Sequence, residues 1–301
     1  MVQSSPLSLL PKVDDRDDAG APVKRQRLIG QLLCQSRGLR PADIESILRR
    51  QQEHGGRFGE IAIAMRLVTE QAVLEALATQ FDYPFGGSFG DGAASAELVC
   101  ACDPLGEDAQ SFRDLRTELL TGVLAGPTPR ALAILSTQRG DGRSYVAANL
   151  AVAFAQLGGK TLLVDADMRA PRQHLMFGAG NAVGLSQLLC QRASAEEAVQ
   201  PTVLPGLFLV GAGPLPPNPL ELLLRGSRSK LIQNWLHQFD YVVLDTPSAN
   251  QGSEARVIAD WAGAALVVAR PQVSRMADLD RLVNAIDKGH ADMAGVVMNE
   301  Y

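Results

Sequence analysis

A chain of 301 residues, 46% apolar and 20% charged, is long enough for two soluble globular domains with real cores. Its net charge of -5 excludes a sequence-wide attraction to nucleic acid or anionic lipid and leaves only local patches for acidic partners. Four scattered cysteines (Cys34, Cys100, Cys102, Cys190) and the lack of a secretory leader lead us to expect reduced thiols in a cytoplasmic protein. No apolar run reaches the roughly 18 to 20 residues of a membrane span, so any membrane association is expected through another chain rather than by direct insertion.

Residues 1–25 mix Ser, Pro, Asp, Lys and Arg without an apolar period and read as a disordered tail. Residues 26–85 carry a two-fold repeat, in which Gly30/Gly59, Ile44/Val73, Leu48/Leu77 and Gln51/Gln80 share one offset of 29 residues. Each unit has helical apolar spacing, with Pro41 near one helix start and Thr69 placed as a cap near the other, which predicts a small helical domain of two related hairpins. Residues 86–106, rich in Gly, Ala and Asp, read as a linker; the Cys100-x-Cys102 pair within them lacks a second pair or neighbouring His for a metal site. A helix is predicted over 108–120, with Phe112, Leu115 and Leu119 on one stripe.

Beyond it, six short apolar runs (131–135, 161–164, 207–210, 241–244, 264–268 and 295–298) alternate with helical stretches. Runs without polar alternation predict strands buried on both faces, and residues 107–301 read as a doubly wound, mostly parallel α/β domain of P-loop type. The first strand leads into Gly140, Asp141, Gly142, Arg143, Ser144 and Tyr145, with a helix following. Strand, glycine loop and helix are what a phosphate cradle needs: the glycines let successive amides turn inward, and the helix N-terminus adds positive potential. Thr137 stands where the P-loop pattern has its first Gly, and Arg143 replaces its Lys, with a planar fork in place of a point charge.

Two further strands end in acids: Asp165 and Asp167 after the second run, Asp245 after the fourth. Acids at i and i+2 point one way from an extended strand end, where they can hold a metal-bound water and take a proton from a hydroxyl. Each Asp alone also fits a cap or turn residue. Their joint placement beside a glycine loop predicts a site for ATP and Mg2+, with Ser144, Asp165 and Asp245 at the metal and Arg143, Asp165 and Asp167 catalytic.

These motifs resemble the bacterial tyrosine kinases that regulate polysaccharide export. The tracts Ala147 to Val152, Arg169 to His174 and Pro216 to Leu223 are most similar to the EpsG-type chain-length-determinant group. The resemblance implies a cytoplasmic ATP-dependent tyrosine autokinase acting in exopolysaccharide biosynthesis, held at the inner membrane by a transmembrane copolymerase-type activator. It also implies Asn299 against the adenine, a homo-oligomer, and Tyr301 as phospho-acceptor. Two features depart from that pattern: Gln110 precedes Arg113 and Arg116 where the oligomerisation helix carries a Glu, and Tyr301 stands alone rather than in a tyrosine cluster. Tyr83, Tyr145 and Tyr241 read as core or interface residues. The repeat domain resembles the N-terminal domain of type II secretion ATPases, some of which bind cyclic di-GMP; the contacts would be Arg27, Arg57 and Gln80, with a protein-docking module as the alternative. For the P-loop domain the alternatives are a partitioning-type ATPase switch, disfavoured by Gln138 where that class carries Lys, and a non-catalytic nucleotide-dependent scaffold.

Overall fold

The computed structural model describes residues 29–37, 39–80, 95–225 and 228–300. Expectations for residues 1–25, Arg27, Tyr83, the first part of the linker and Tyr301 fall outside the described residues, as does the side chain of Gln80. The chain divides into two units, residues 1–87 and 88–301.

The N-terminal unit contains α1 (Ile29–Arg37), α2 (Pro41–His54), α3 (Phe58–Ala64) and α4 (Glu70–Gln80). Pro41 opens α2, where its missing N–H costs nothing, and Asp43 accepts the Arg40 N–H at 3.1 Å. Thr69 Oγ1 accepts the Ala72 N–H at 3.2 Å before α4. The repeat appears in space as one packing contact made twice: a Cβ on Gly30 would lie 3.6 Å from Ile44 Cδ1, and one on Gly59 2.6 Å from Val73 Cγ1. Gly59 is therefore required by the close approach of α3 to α4. Leu33, Ile47, Ala62 and Val73 are among the side chains that fill the core between the hairpins.

The second unit begins with α5 (Val99–Cys102) and α6 (Glu107–Thr121). The expected linker needs correction here: Leu98, Cys100 and Ala101 are buried against the P-loop unit, and Asn149 accepts the Cys100 N–H at 3.1 Å and donates to the Glu97 carbonyl at 2.8 Å. The sparse apolar residues of this Ala-rich tract are enough to dock one helical turn once Asn149 meets its backbone.

A seven-stranded sheet follows, with β1 (Ala131–Ser136), β2 (Thr161–Asp165), β3 (Val199–Pro201), β4 (Leu207–Val210), β5 (Tyr241–Asp245), β6 (Gly263–Ala269) and β7 (Asp292–Met298), in the order β3-β4-β2-β5-β1-β6-β7. All neighbours pair in parallel except β3 with β4. This is the doubly wound P-loop fold expected, with one edge strand added. Sequence periodicity misses β3 because it is three residues long, not fully buried, and ends in Pro201, a residue suited only to a sheet edge.

Helix α7 (Arg143–Ala155) is buried on nearly every side, as its Ala-rich sequence allows, between the sheet and α5 and α6. Tyr145 meets Phe112 edge-on at 5.7 Å, and Tyr241 stacks on Phe154 at 4.6 Å. The remaining helices are α8 (Gln173–Met176), α9 (Leu185–Leu189), α10 (Ala195–Ala198), α11 (Pro219–Arg225), α12 (Arg228–Gln238), α13 (Glu254–Ala262) and α14 (Met276–Asp287). Among the described residues no helix is long and apolar enough to cross a membrane.

Candidate functional site

The three strands that carry the motifs, β2, β5 and β1, are consecutive in the sheet, so their C-terminal ends open side by side. Asp165 and Asp245 are register partners on β2 and β5. The loop after β1 bends through Gly140 and Gly142, both at φ +92°, a conformation that L side chains rarely adopt. Gly142 is doubly constrained, because a Cβ there would fall 1.9 Å from Asn299 Nδ2. That same Asn299 amide donates to the Asp141 carbonyl at 3.1 Å, while its backbone N–H bonds Ala269 on β6 at 2.7 Å.

A cavity of about 470 Å3 lies above this edge, lined among others by Gly140, Gly142, Arg143, Ser144, Tyr145, Asp167 and Asn299. Asp141, expected to touch nucleotide, does not line it. Its carboxylate is fully buried and braces the loop, accepting from Gln138 N at 2.9 Å, Thr137 Oγ1 at 3.2 Å and Ser274 Oγ at 3.0 Å. Asp165 and Asp245 stand behind the cavity wall rather than in it.

Arg143 is turned inward. Its guanidinium donates to Ser136 Oγ at 2.6 Å and Asp167 Oδ2 at 3.2 Å, and its Nε lies 3.6 Å from Asp245 Oδ1. A strand-end hydroxyl, the Asp245 carboxylate at the end of β5 and the Asp167 carboxylate just beyond β2 thus hold one buried cation. Asp167 Oδ1 also accepts the Arg169 and Ala170 amides at 3.2 and 3.0 Å. Asp165 is bound on both oxygens by backbone: Asp167 N at 3.2 Å on Oδ1, Arg172 N at 2.9 Å and Gln173 N at 3.0 Å on Oδ2. It therefore caps the turn that enters α8, while Asp167 lines the cavity.

Burial pushes the Asp165 carboxyl well above its usual range, helped by the Asp245 charge beside it and opposed by the Gln173 and Arg172 amides. Burial likewise raises Asp245, against the pull of Arg143 and of hydrogen bonds from Gln173 and Ser144. Asp245 Oδ1 is buried without a hydrogen-bond partner. A hard carboxylate oxygen with no hydrogen bond of its own, 3.6 Å from Arg143 Nε and close to the Ser144 hydroxyl of the glycine loop, fits Mg2+. Among the described residues no three His, Cys, Asp or Glu side chains are grouped to hold a metal by themselves.

Among the lining residues, Glu97, Ser248, Gln251 and Arg270 lie outside the motifs visible in the sequence. Arg139, Arg172 and Arg270 add positive charge, and Arg172 is held by Glu97 at 2.6 Å from the segment before α5. Arg169 Nε bonds the buried Glu254 carboxylate at 3.0 Å. Only the glycine loop and the Arg169 to His174 tract marked this region, and neither spacing names Glu97 before α5 or Glu254 on α13 as a partner. On α6, Arg113 bonds Gln110 at 2.7 Å and Arg116 the Ala153 carbonyl at 2.6 Å, both within the chain.

The family described as "ParA: NUBPL iron-transfer P-loop NTPase" matches residues 128–300. The putative tyrosine-protein kinase CapB of Staphylococcus aureus is 30% identical over 192 residues, covering 64% of this chain and 84% of CapB. The putative tyrosine-protein kinase EpsB of Ralstonia solanacearum is 35% identical over 199 residues, 63% of this chain, but this chain spans only 25% of EpsB. In structure, the kinase domain of the Escherichia coli tyrosine kinase ETK is similar with a TM-score of 0.64 at 27% identity, over 67% of this chain and 79% of that one. Nothing in these similarities supports cyclic di-GMP at the N-terminal unit, where Gly59 has a packing reason of its own. A parallel P-loop sheet, a glycine cradle with acids at two neighbouring strand ends, and this degree of likeness to CapB together place the chain in the bacterial tyrosine-kinase family, within the ParA-type P-loop NTPases.

Proposed function

We propose that the P-loop unit is an ATP-dependent protein tyrosine kinase, acting on itself or a partner in exopolysaccharide chain-length control and export. The observation that carries this reading is the cavity lined together by Gly140, Gly142, Arg143 and Ser144 of the loop, by Asp167 and by Arg139, Arg172 and Arg270. Gly140 and Gly142 give the amides their inward turn toward phosphates, and Arg139, Arg172 and Arg270 offset the polyphosphate charge. Ser144 and Asp245 would hold Mg2+, with Asp165 behind them fixing the loop; the metal would neutralise charge on the transferred phosphoryl group. Arg143, the loop cation beside Asp167 and Asp245, would bind the phosphates. Asp167, the strand-end acid open to the cavity, is placed to orient and deprotonate the tyrosine hydroxyl. Asn299, which lines the cavity and bonds the loop at the Asp141 carbonyl, is the adenine contact of this reading.

The same reading assigns the activator role to a separate membrane-spanning chain and names Tyr301 as a phosphate acceptor in trans. The test is incubation of the full chain with labelled ATP and Mg2+, with and without that membrane chain, followed by phosphotyrosine detection. Phosphotyrosine that disappears in Asp167→Asn supports the kinase. Phosphate release without phosphotyrosine identifies an ATPase switch, and neither signal identifies a scaffold.

A further inference from the structure

Gln173 is fully buried and ties together three parts of the site. Its backbone N–H donates to Asp165 Oδ2 at 3.0 Å, and its Nε2 donates to the Ser144 carbonyl at 3.0 Å and to Asp245 Oδ2 at 2.8 Å. Two acceptors on one side settle which end of the amide is nitrogen. Its Oε1 consequently faces elsewhere, buried and without a hydrogen-bond partner, whereas Asp245 Oδ1 and Arg143 Nε, also without hydrogen bonds, face each other as an ion pair at 3.6 Å. A buried amide oxygen left unpaired is costly and uncommon in a folded protein. An amide retained at this expense has a task that an apolar filler could not perform.

We propose that Gln173 is a positioning residue for the magnesium site: by occupying Asp245 Oδ2 it aims Oδ1 at the cation, and by holding the Ser144 carbonyl it keeps the Ser144 hydroxyl in register with that oxygen. Its backbone bond to Asp165 links this alignment to the loop that carries Asp167. The inference rests on the magnesium-nucleotide reading above and adds a residue to it. Partners that orient metal-binding carboxylates change metal affinity by about 10- to 100-fold when removed.

The experiment titrates ADP into the full chain by calorimetry, once with Mg2+ and once with EDTA, so that the ratio of the two affinities isolates the magnesium contribution. Gln173→Met keeps length and volume but neither donates nor accepts strongly, and Gln173→Asn keeps the amide on a stem one methylene too short to span both acceptors. In both, the affinity in EDTA is expected to stay within about twofold of wild type while the magnesium contribution falls by about tenfold or more. A merely structural role would lower both affinities alike or melt the unit, which tryptophan fluorescence reports separately. Equal loss in both conditions, or an undiminished magnesium contribution in both variants, overturns the proposal. A wild-type chain that binds ADP without any magnesium contribution overturns the underlying site reading, and the role of Gln173 with it.

Discussion

Replacing Arg143 by alanine is expected to destabilise the P-loop unit by about 3–5 kcal/mol without nucleotide, the cost of removing one partner from a buried ion pair. The guanidinium is 7% exposed and contacts Ser136 Oγ at 2.6 Å, Asp167 Oδ2 at 3.2 Å and Asp245 Oδ1 at 3.6 Å. Its loss leaves Asp245 with Gln173 and Ser144 only, and the neighbouring Asp165 and Asp245 charges with less to oppose their repulsion. Arg143→Lys keeps the charge but cannot fork to three groups, and at about 1 kcal/mol per lost hydrogen bond it is expected to cost about 1–2 kcal/mol. Both tryptophans, Trp235 and Trp261, lie in this unit, so urea unfolding followed by their fluorescence reads the effect. With a slope of about 2–3 kcal/mol per molar urea, the alanine variant's midpoint should fall by about 1–2 M. Mg2+ with ADP should recover more of that loss than it adds to wild type, because the metal supplies the missing countercharge. An alanine midpoint equal to wild type refutes the placement of Arg143 as counter-ion of the two acids.

Gly142→Ala is expected to abolish ADP binding in the same calorimetric assay and to lower stability by about 2–3 kcal/mol, since it adds left-handed strain and displaces the Asn299 amide; unaltered ADP affinity would contradict the loop geometry. Asp165→Asn should remain folded by circular dichroism, because the carboxamide oxygen can still accept part of the amide cluster on that side chain, but it should lose phosphotransfer. An unfolded variant would make Asp165 chiefly structural. The pH dependence follows from the raised Asp165 and Asp245 carboxyls. Above the usual value of 3.8 the folded state holds more protons than the unfolded one, so these groups favour folding on the acid side and progressively lose that contribution as pH rises through their raised values. Urea midpoints without metal should therefore show Asp165→Asn gaining on wild type as pH rises above 3.8; a variant that falls further behind wild type as pH rises would reverse the assigned direction.

Much of this protein is local chemistry and can be read along the chain. The central strands declare themselves because each is an unbroken apolar run, and Asp165, Asp167 and Asp245 are visible as polar residues where such runs stop. The glycine loop is legible for the same reason: Gly140 and Gly142 are demanded by backbone turns a few residues long. The repeat in the N-terminal unit is visible through paired residues, though that Gly30 meets Ile44 and Gly59 meets Val73 is known only from the packed helices. What folding decides is which of these side chains share a volume. Arg143, Asp167 and Asp245 become one ion-pair cluster, Gln173 becomes its brace, and Asp141 turns away to hold the loop, because strands far apart in sequence end next to one another in the sheet. Hydrogen bonds and ion pairs act over about 3–4 Å, and spacing along a chain carries no information on that scale once tens of residues intervene.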